Sequence, residues 1–144
     1  MLATTARMPE LEGEGGNAGE SSAISMATPL NPVTDMTVFA EETNLHPAAV
    51  RFMGGKPDEL PEEYRLASPL RHVDADTPPC MLVHGTGDTT VPHNQSVDFA
   101  EAVRAQGQRA ELVLVEGAAH GFFNQDPDFE AIYEQIERFV LEEL

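Results

Sequence analysis

Two short, wholly apolar runs, Met81-Leu82-Val83 and Leu112-Val113-Leu114-Val115, frame a segment with helical periodicity, and this arrangement constrains the fold most. An apolar run with no alternation has no solvent-facing side, so it reads as a strand buried on both faces. Between the runs, residues 93–106 place Ser96, Phe99, Ala100 and Val103 on one helical face, with Gly107 just beyond as a C-cap. After the second run, residues 126–144 place Phe129, Ile132, Ile136, Phe139 and Val140 on one stripe, which predicts a closing helix. Strand, helix, strand, helix in that order predicts an α/β fold with parallel strands, right-handed crossovers and flanking helices.

Such a sheet singles out two side chains. Asp88 lies five residues after Val83 and His120 five residues after Val115, each in the loop beyond the carboxyl end of its strand. Parallel strands release those loops at the same edge, and neighbouring strands are only about 4.8 Å apart. A carboxylate and an imidazole placed there can meet across a hydrogen bond, at the edge where open α/β sheets hold their ligands. Aspartate then fixes the tautomer of the histidine and stabilises its cation, while the histidine moves a proton. Singly, each residue has a plainer reading. Gly85-Thr86-Gly87-Asp88 is good turn chemistry, and His120 sits among small loop residues. The matched placement after two strands favours the pair.

The remainder of the chain is less periodic. Residues 1–8 read as the tail of a helix, and Glu10 to Glu20 as a surface loop. Residues 23–30 read as a short strand weakened at its end by Pro29. Prolines and short apolar groups run from Asn31 to Pro78, with short helices expected around 47–53 and 58–66. The domain reading is therefore a helix end and surface loop over 1–22 and one α/β unit over 23–144, with a cap-like insert at about 36–70.

Composition excludes several functions. With 8 basic against 25 acidic residues, the net charge of −17 repels nucleic acid and anionic membrane surfaces. No apolar run approaches the length of a membrane span. The single cysteine, Cys80, rules out an internal disulfide or a thiolate metal cage and reads as buried packing. His84, Asp88, His93 and His120 could surround a metal, but their spacing matches no ligand pattern, so neither a metal nor a cofactor is expected. His84 reads better as a partly buried ring bonded to its neighbouring loop. Phe122 and Phe123 read either as the floor of an acyl pocket or as aromatic packing under a loop. Glu41, Glu42, Asp58, Glu59, Glu62 and Glu63 read as a solvated face. The first residues lack the basic start and apolar stretch of a secretory signal, which leaves the compartment open.

Three stretches carry a resemblance: Leu82-Val83-His84-Gly85-Thr86-Gly87-Asp88-Thr89-Thr90-Val91-Pro92, then Gln95-Ser96, then Gly117-Ala118-Ala119-His120-Gly121-Phe122. They resemble the C-terminal half of α/β-hydrolases. The nearest likeness is to the esterase/lipase and dienelactone-hydrolase-like group and to the related catalytic domains of prolyl oligopeptidases. The resemblance covers residues 67–144 strongly and nearly the whole chain loosely. It implies that Asp88 is the triad acid and His120 the triad base of a serine hydrolase acting on a small-molecule carboxylic ester, with no cofactor. Residues 10–17 and Ser21-Ser22 also look like a subgroup of these esterases, in which they follow the helix after the nucleophile elbow.

The family nucleophile sits in G-x-S-x-G on a strand-to-helix turn, and no such motif occurs in the 144 residues. Gly19-Glu20-Ser21-Ser22-Ala23 imitates it but lacks the second glycine and the preceding apolar strand. The resemblance places the serine several residues before Met1, and the oxyanion hole upstream with it. The isolated chain is then expected to be inactive, with an open sheet edge that invites self-association. Two alternatives stay open: a stand-alone, non-catalytic binding or assembly module, and a peptidase of the prolyl oligopeptidase type, which shares this half.

Overall fold

The computed structural model describes residues 1–11, 16, 19–124 and 129–144. Along the chain these form helices α1 (Leu2–Thr5), α2 (Met36–Glu42), α3 (Pro47–Met53) and α4 (Pro61–Leu66), then strand β1 (Cys80–Gly85). Helix α5 (Asn94–Ala105), strand β2 (Ala110–Val115) and helix α6 (Phe129–Glu143) complete the order. Strands β1 and β2 pair in parallel, with Cys80 opposite Ala110 and Gly85 opposite Val115. A parallel pair cannot be closed by a tight turn, and α5 supplies the crossover.

Every residue of β1 is buried, because the strand is covered on both faces. On one side Cys80 and Leu82 pack with Phe99, Ala100 and Val103 of α5 and with Ala110. On the other, Met81 and Val83 pack with Ala118, Phe122, Ile132 and Phe139. Successive strand residues point to opposite faces, so one strand serves both cores. Gly107 follows α5 at φ 80°, the left-handed conformation that a helix C-terminus takes most easily with glycine.

The strand expected over 23–30 is reduced to two parallel bridges, Ala27 to Cys80 and Leu30 to Val83, on the edge of β1 away from β2. Pro29 has no amide proton to donate; its carbonyl accepts from Val83 at 3.2 Å instead. The helix expected over 58–66 is shorter, since the chain reaches Pro61 before it can begin a helical turn with proline in its first position. Helix α2 was not anticipated. Asp35 starts it by accepting hydrogen bonds from the amides of Thr37 and Val38. Pro9–Leu11 forms a single 3-10 turn where a loop was expected, while most of the Gly/Glu stretch that follows, residues 12–15, 17 and 18, lies outside the described residues. So does Asp126, the expected start of the last helix, which is described from Phe129.

The last helix is held at its far end by Arg109, which bonds Glu142 and Glu143 at 2.6 Å each and lies 5.0 Å from the Phe139 ring centroid. Ion pairs of this kind are screened by solvent and contribute little. Phe139 is 1% exposed, and truncating such a ring costs about 3–5 kcal/mol. Burial therefore dominates the attachment of α6. In urea denaturation Phe139→Ala is expected to lose about 3–5 kcal/mol and Arg109→Ala far less. Equal losses in the two variants would remove that ranking.

Candidate active site

The two loops at the carboxyl ends of β1 and β2 are stitched together. The ladder continues one step as the Thr86 amide donates to the Val115 carbonyl at 2.9 Å. The Thr86 hydroxyl then accepts from the Gly117 amide at 2.8 Å, and the Gly87 amide donates to the Ala118 carbonyl at 3.0 Å. Such a close approach needs glycine. A Cβ on Gly85 would stand 2.1 Å from the Ala118 carbonyl oxygen, and one on Gly87 2.6 Å from that of Gly117. The Gly-Thr-Gly of the first loop is thus a docking surface for the second.

That stitching brings Asp88 and His120 together. His120 Nδ1 lies 2.7 Å from Asp88 Oδ2, with the carboxylate side chain fully buried and the imidazole 42% exposed. Asp88 Oδ1 accepts from the amides of Thr90 at 2.8 Å and Val91 at 2.9 Å, so both carboxylate oxygens are satisfied. Burial alone pushes the Asp88 carboxyl up. The Val91 amide, the His120 ring and the Thr90 amide together outweigh it and hold the carboxyl below its ordinary value. An ionised carboxylate only accepts, so Nδ1 of His120 carries the proton and Nε2 of the neutral ring holds the lone pair.

His84 lies beneath this pair and is wholly buried. Its Nδ1 is 2.7 Å from the Ser96 hydroxyl and its Nε2 2.9 Å from the Val91 carbonyl. The same Nε2 is 3.4 Å from Asp88 Oδ2. Burial pushes the His84 imidazolium below its ordinary value, against the pull of Val91 and Asp88. Sequence reasoning placed this ring against its loop but missed its link to Asp88. It also missed the Thr90 and Val91 amides, although an aspartate that bonds amides two and three residues on is a recognisable turn.

Other candidates fall elsewhere. Ser21 shares a cleft with Asp74, Asp76 and Pro78, which precede β1 and so mark the opposite end of the sheet from Asp88 and His120. Phe122 is 6% exposed and packs in the core against Met81 and Val83, edge-on to Phe123. Cys80 is buried with its thiol pushed up to about 11. His93 stands at the start of α5. Among the described residues no group of three His, Cys, Asp or Glu side chains is arranged to hold a metal ion. No described helix is long and apolar enough to cross a membrane.

Both His84 and Asp88 titrate lower in the folded chain than their ordinary values of 6.5 and 3.8, so the unfolded state binds more protons and stability rises with pH. The His84 contribution is complete above about pH 6.5 and is lost as the pH falls through its lowered value. That of Asp88 is complete above about pH 4 and is lost only in stronger acid. The urea midpoint of the wild type is expected to fall as the pH drops below about 6.5, and His84→Gln to flatten that slope. An unchanged slope in His84→Gln would remove His84 as its source.

Residues 20–144 match the model of the prolyl oligopeptidase family. The chain is 32% identical to a thermophilic esterase from Thermogutta terrifontis, with a TM-score of 0.71 over 97% of this chain and 50% of that one. A probable isoprenylcysteine alpha-carbonyl methylesterase of Arabidopsis thaliana is 40% identical over 72 residues, 49% of this chain and 15% of the plant protein. An uncharacterized peptidase of Bacillus subtilis is 30% identical over 115 residues, 75% of this chain and 45% of the relative. The chain thus spans half of the solved esterase and less of these curated relatives. With its parallel β1–β2 pair and matching esterase architecture, the chain belongs to the prolyl oligopeptidase family and has the α/β-hydrolase fold in part.

Proposed function

We propose that this chain supplies the acid–base pair of a serine hydrolase that cleaves carboxylic esters through an acyl-enzyme. One observation carries the reading: a half-exposed imidazole bonded through Nδ1, at 2.7 Å, to a buried and otherwise satisfied carboxylate. The nucleophilic serine comes from outside these 144 residues, in which G-x-S-x-G does not occur. His120 Nε2 takes the serine proton as the hydroxyl oxygen attacks the ester carbonyl, then returns it to the departing alcohol. Water repeats the cycle and frees the acid. Asp88 holds the ring in the tautomer that leaves Nε2 basic and offsets the charge it gains.

In this reading α2, α3 and α4 belong to the cap-like insert of residues 36–70, and α1 is the end of the helix that follows the nucleophile. Phe39 and Ala49 pack against Val91, whose amide serves Asp88, which supports placing the insert beside the site. The outer edge of residues 27–30 is where the rest of the sheet joins, or where copies associate when it is missing.

A peptidase is the second reading, favoured by the family matched and by the Bacillus relative's description. Hydrolysis of p-nitrophenyl esters and of peptide p-nitroanilides, by this chain and by the chain extended upstream through a G-x-S-x-G segment, separates these readings. The chain alone is expected to turn over neither substrate, and the extended protein to prefer the ester. In the extended protein Asp88→Asn is expected to cost about 10⁴-fold in kcat. Full-rate turnover by the 144 residues would place the nucleophile within them, and an Asp88→Asn protein with most of its kcat would remove Asp88 from the mechanism.

A further inference from the structure

We propose that His84 is a positioning residue that fixes the Asp88 carboxylate and, through it, His120; this rests on the acid–base reading of Asp88 and His120 above. Both ring nitrogens of His84 are committed. The Val91 carbonyl at 2.9 Å can only accept, so Nε2 carries the proton. Nδ1 of the neutral ring then accepts from the Ser96 hydroxyl at 2.7 Å, which fixes the tautomer.

Nε2 approaches Asp88 by two routes, while the Ser96 hydroxyl on Nδ1 holds the ring. The residue whose carbonyl His84 grips is the one whose amide holds Asp88 Oδ1, at 2.9 Å. The Nε2 proton also faces Asp88 Oδ2 across 3.4 Å, the oxygen that accepts from His120 at 2.7 Å. One buried ring therefore holds the first carboxylate oxygen through Val91 and stands against the second at 3.4 Å, a contact longer than a full hydrogen bond. Rotation of the carboxylate, which would turn Oδ2 away from His120, has to break one of these links. A misdirected carboxylate costs the Asp–His pair most of its alignment, because hydrogen bonds weaken steeply as the donor angle closes.

Ser96, His84 and Asp88 are the same three residue types as a nucleophilic triad, yet they are no second reaction centre. Ser96 and His84 are both 0% exposed, so no substrate reaches the hydroxyl. Their neutrality matters instead. A cationic His84 would compete with His120 for Oδ2, and burial disfavours that cation. The residues thus form a support in which α5, through Ser96, is connected to the proposed base.

Proton NMR of the 144-residue chain reads the couple directly, because an imidazole N–H bonded to a buried carboxylate resonates far downfield and exchanges slowly with water. The wild type is expected to show that His120 Nδ1 resonance, and Asp88→Asn to lose it. His84→Phe, which keeps the bulk and removes both nitrogens, is expected to move it upfield and speed its exchange several-fold. Ser96→Ala is expected to shift it the same way by less, and it decides the matter if His84→Phe does not fold. Arg109→Ala, remote from the loops, leaves the resonance in place. A resonance that depends on Asp88 but ignores both His84→Phe and Ser96→Ala would overturn the positioning role alone. A wild type without the resonance, or an Asp88→Asn protein that keeps it, would overturn the acid–base reading and the positioning role together.

Discussion

The parallel register of β1 against β2 is the constraint on which the rest of the structure depends. With Gly85 opposite Val115, the chain leaves both strands at the same level of the sheet. The loops that follow start side by side, close enough for Thr86 and Gly87 to bond the backbone of residues 115–118. A one-residue slip would turn every side chain of β1 to the other face and exchange its two cores. The pairing of Cys80 and Leu82 with α5, and of Met81 and Val83 with α6, holds the register against such a slip.

Around that register the polar groups are arranged to make one buried charge tolerable. A carboxylate taken out of water costs several kcal/mol unless its oxygens find donors. Asp88 has the Thr90 and Val91 amides on one oxygen and His120 on the other. The same donors that offset its burial also aim it outward, at an imidazole that remains half exposed. Stability and the proposed chemistry therefore draw on the same hydrogen bonds, and a change that loosens the carboxylate touches both.

Helices α2 and α3, and the residues that lead into them, are attached to this arrangement through Val91 and α5. Val91 packs with Phe39 and Ala49, and buried Gln95 accepts from the amides of Thr34 and Asp35 through its side-chain carbonyl. Gln95 is next to Ser96 on α5, so one turn of that helix anchors both the start of α2 and the His84 ring. Helices α2 and α3 and the acid thus share Val91 as a neighbour.

Much of this was legible in the chain. The apolar runs, the stripe of α6 and the placement of Asp88 and His120 after their strands are local patterns, and local patterns survive folding when burial rewards them. What was not legible depends on contacts between distant segments. Asp35 starts α2 as a cap, but no apolar period marks so short a helix. Residues 27–30 look like a strand, yet Pro29 lacks the amide proton that a continuous ladder needs. His84 was readable as a buried ring, but not its link to Asp88, because that link passes through the fold of the Thr89–Val91 turn. By itself the sequence determined which residues seek the interior and which two titratable groups leave the sheet at one edge, since both follow from periodicity. Only the tertiary structure decided how those groups are held: the Thr90 and Val91 amides come from the turn of Asp88 itself, but His120 comes from the next loop and His84 from β1, and the strand register brings both rings within 3.4 Å of one carboxylate.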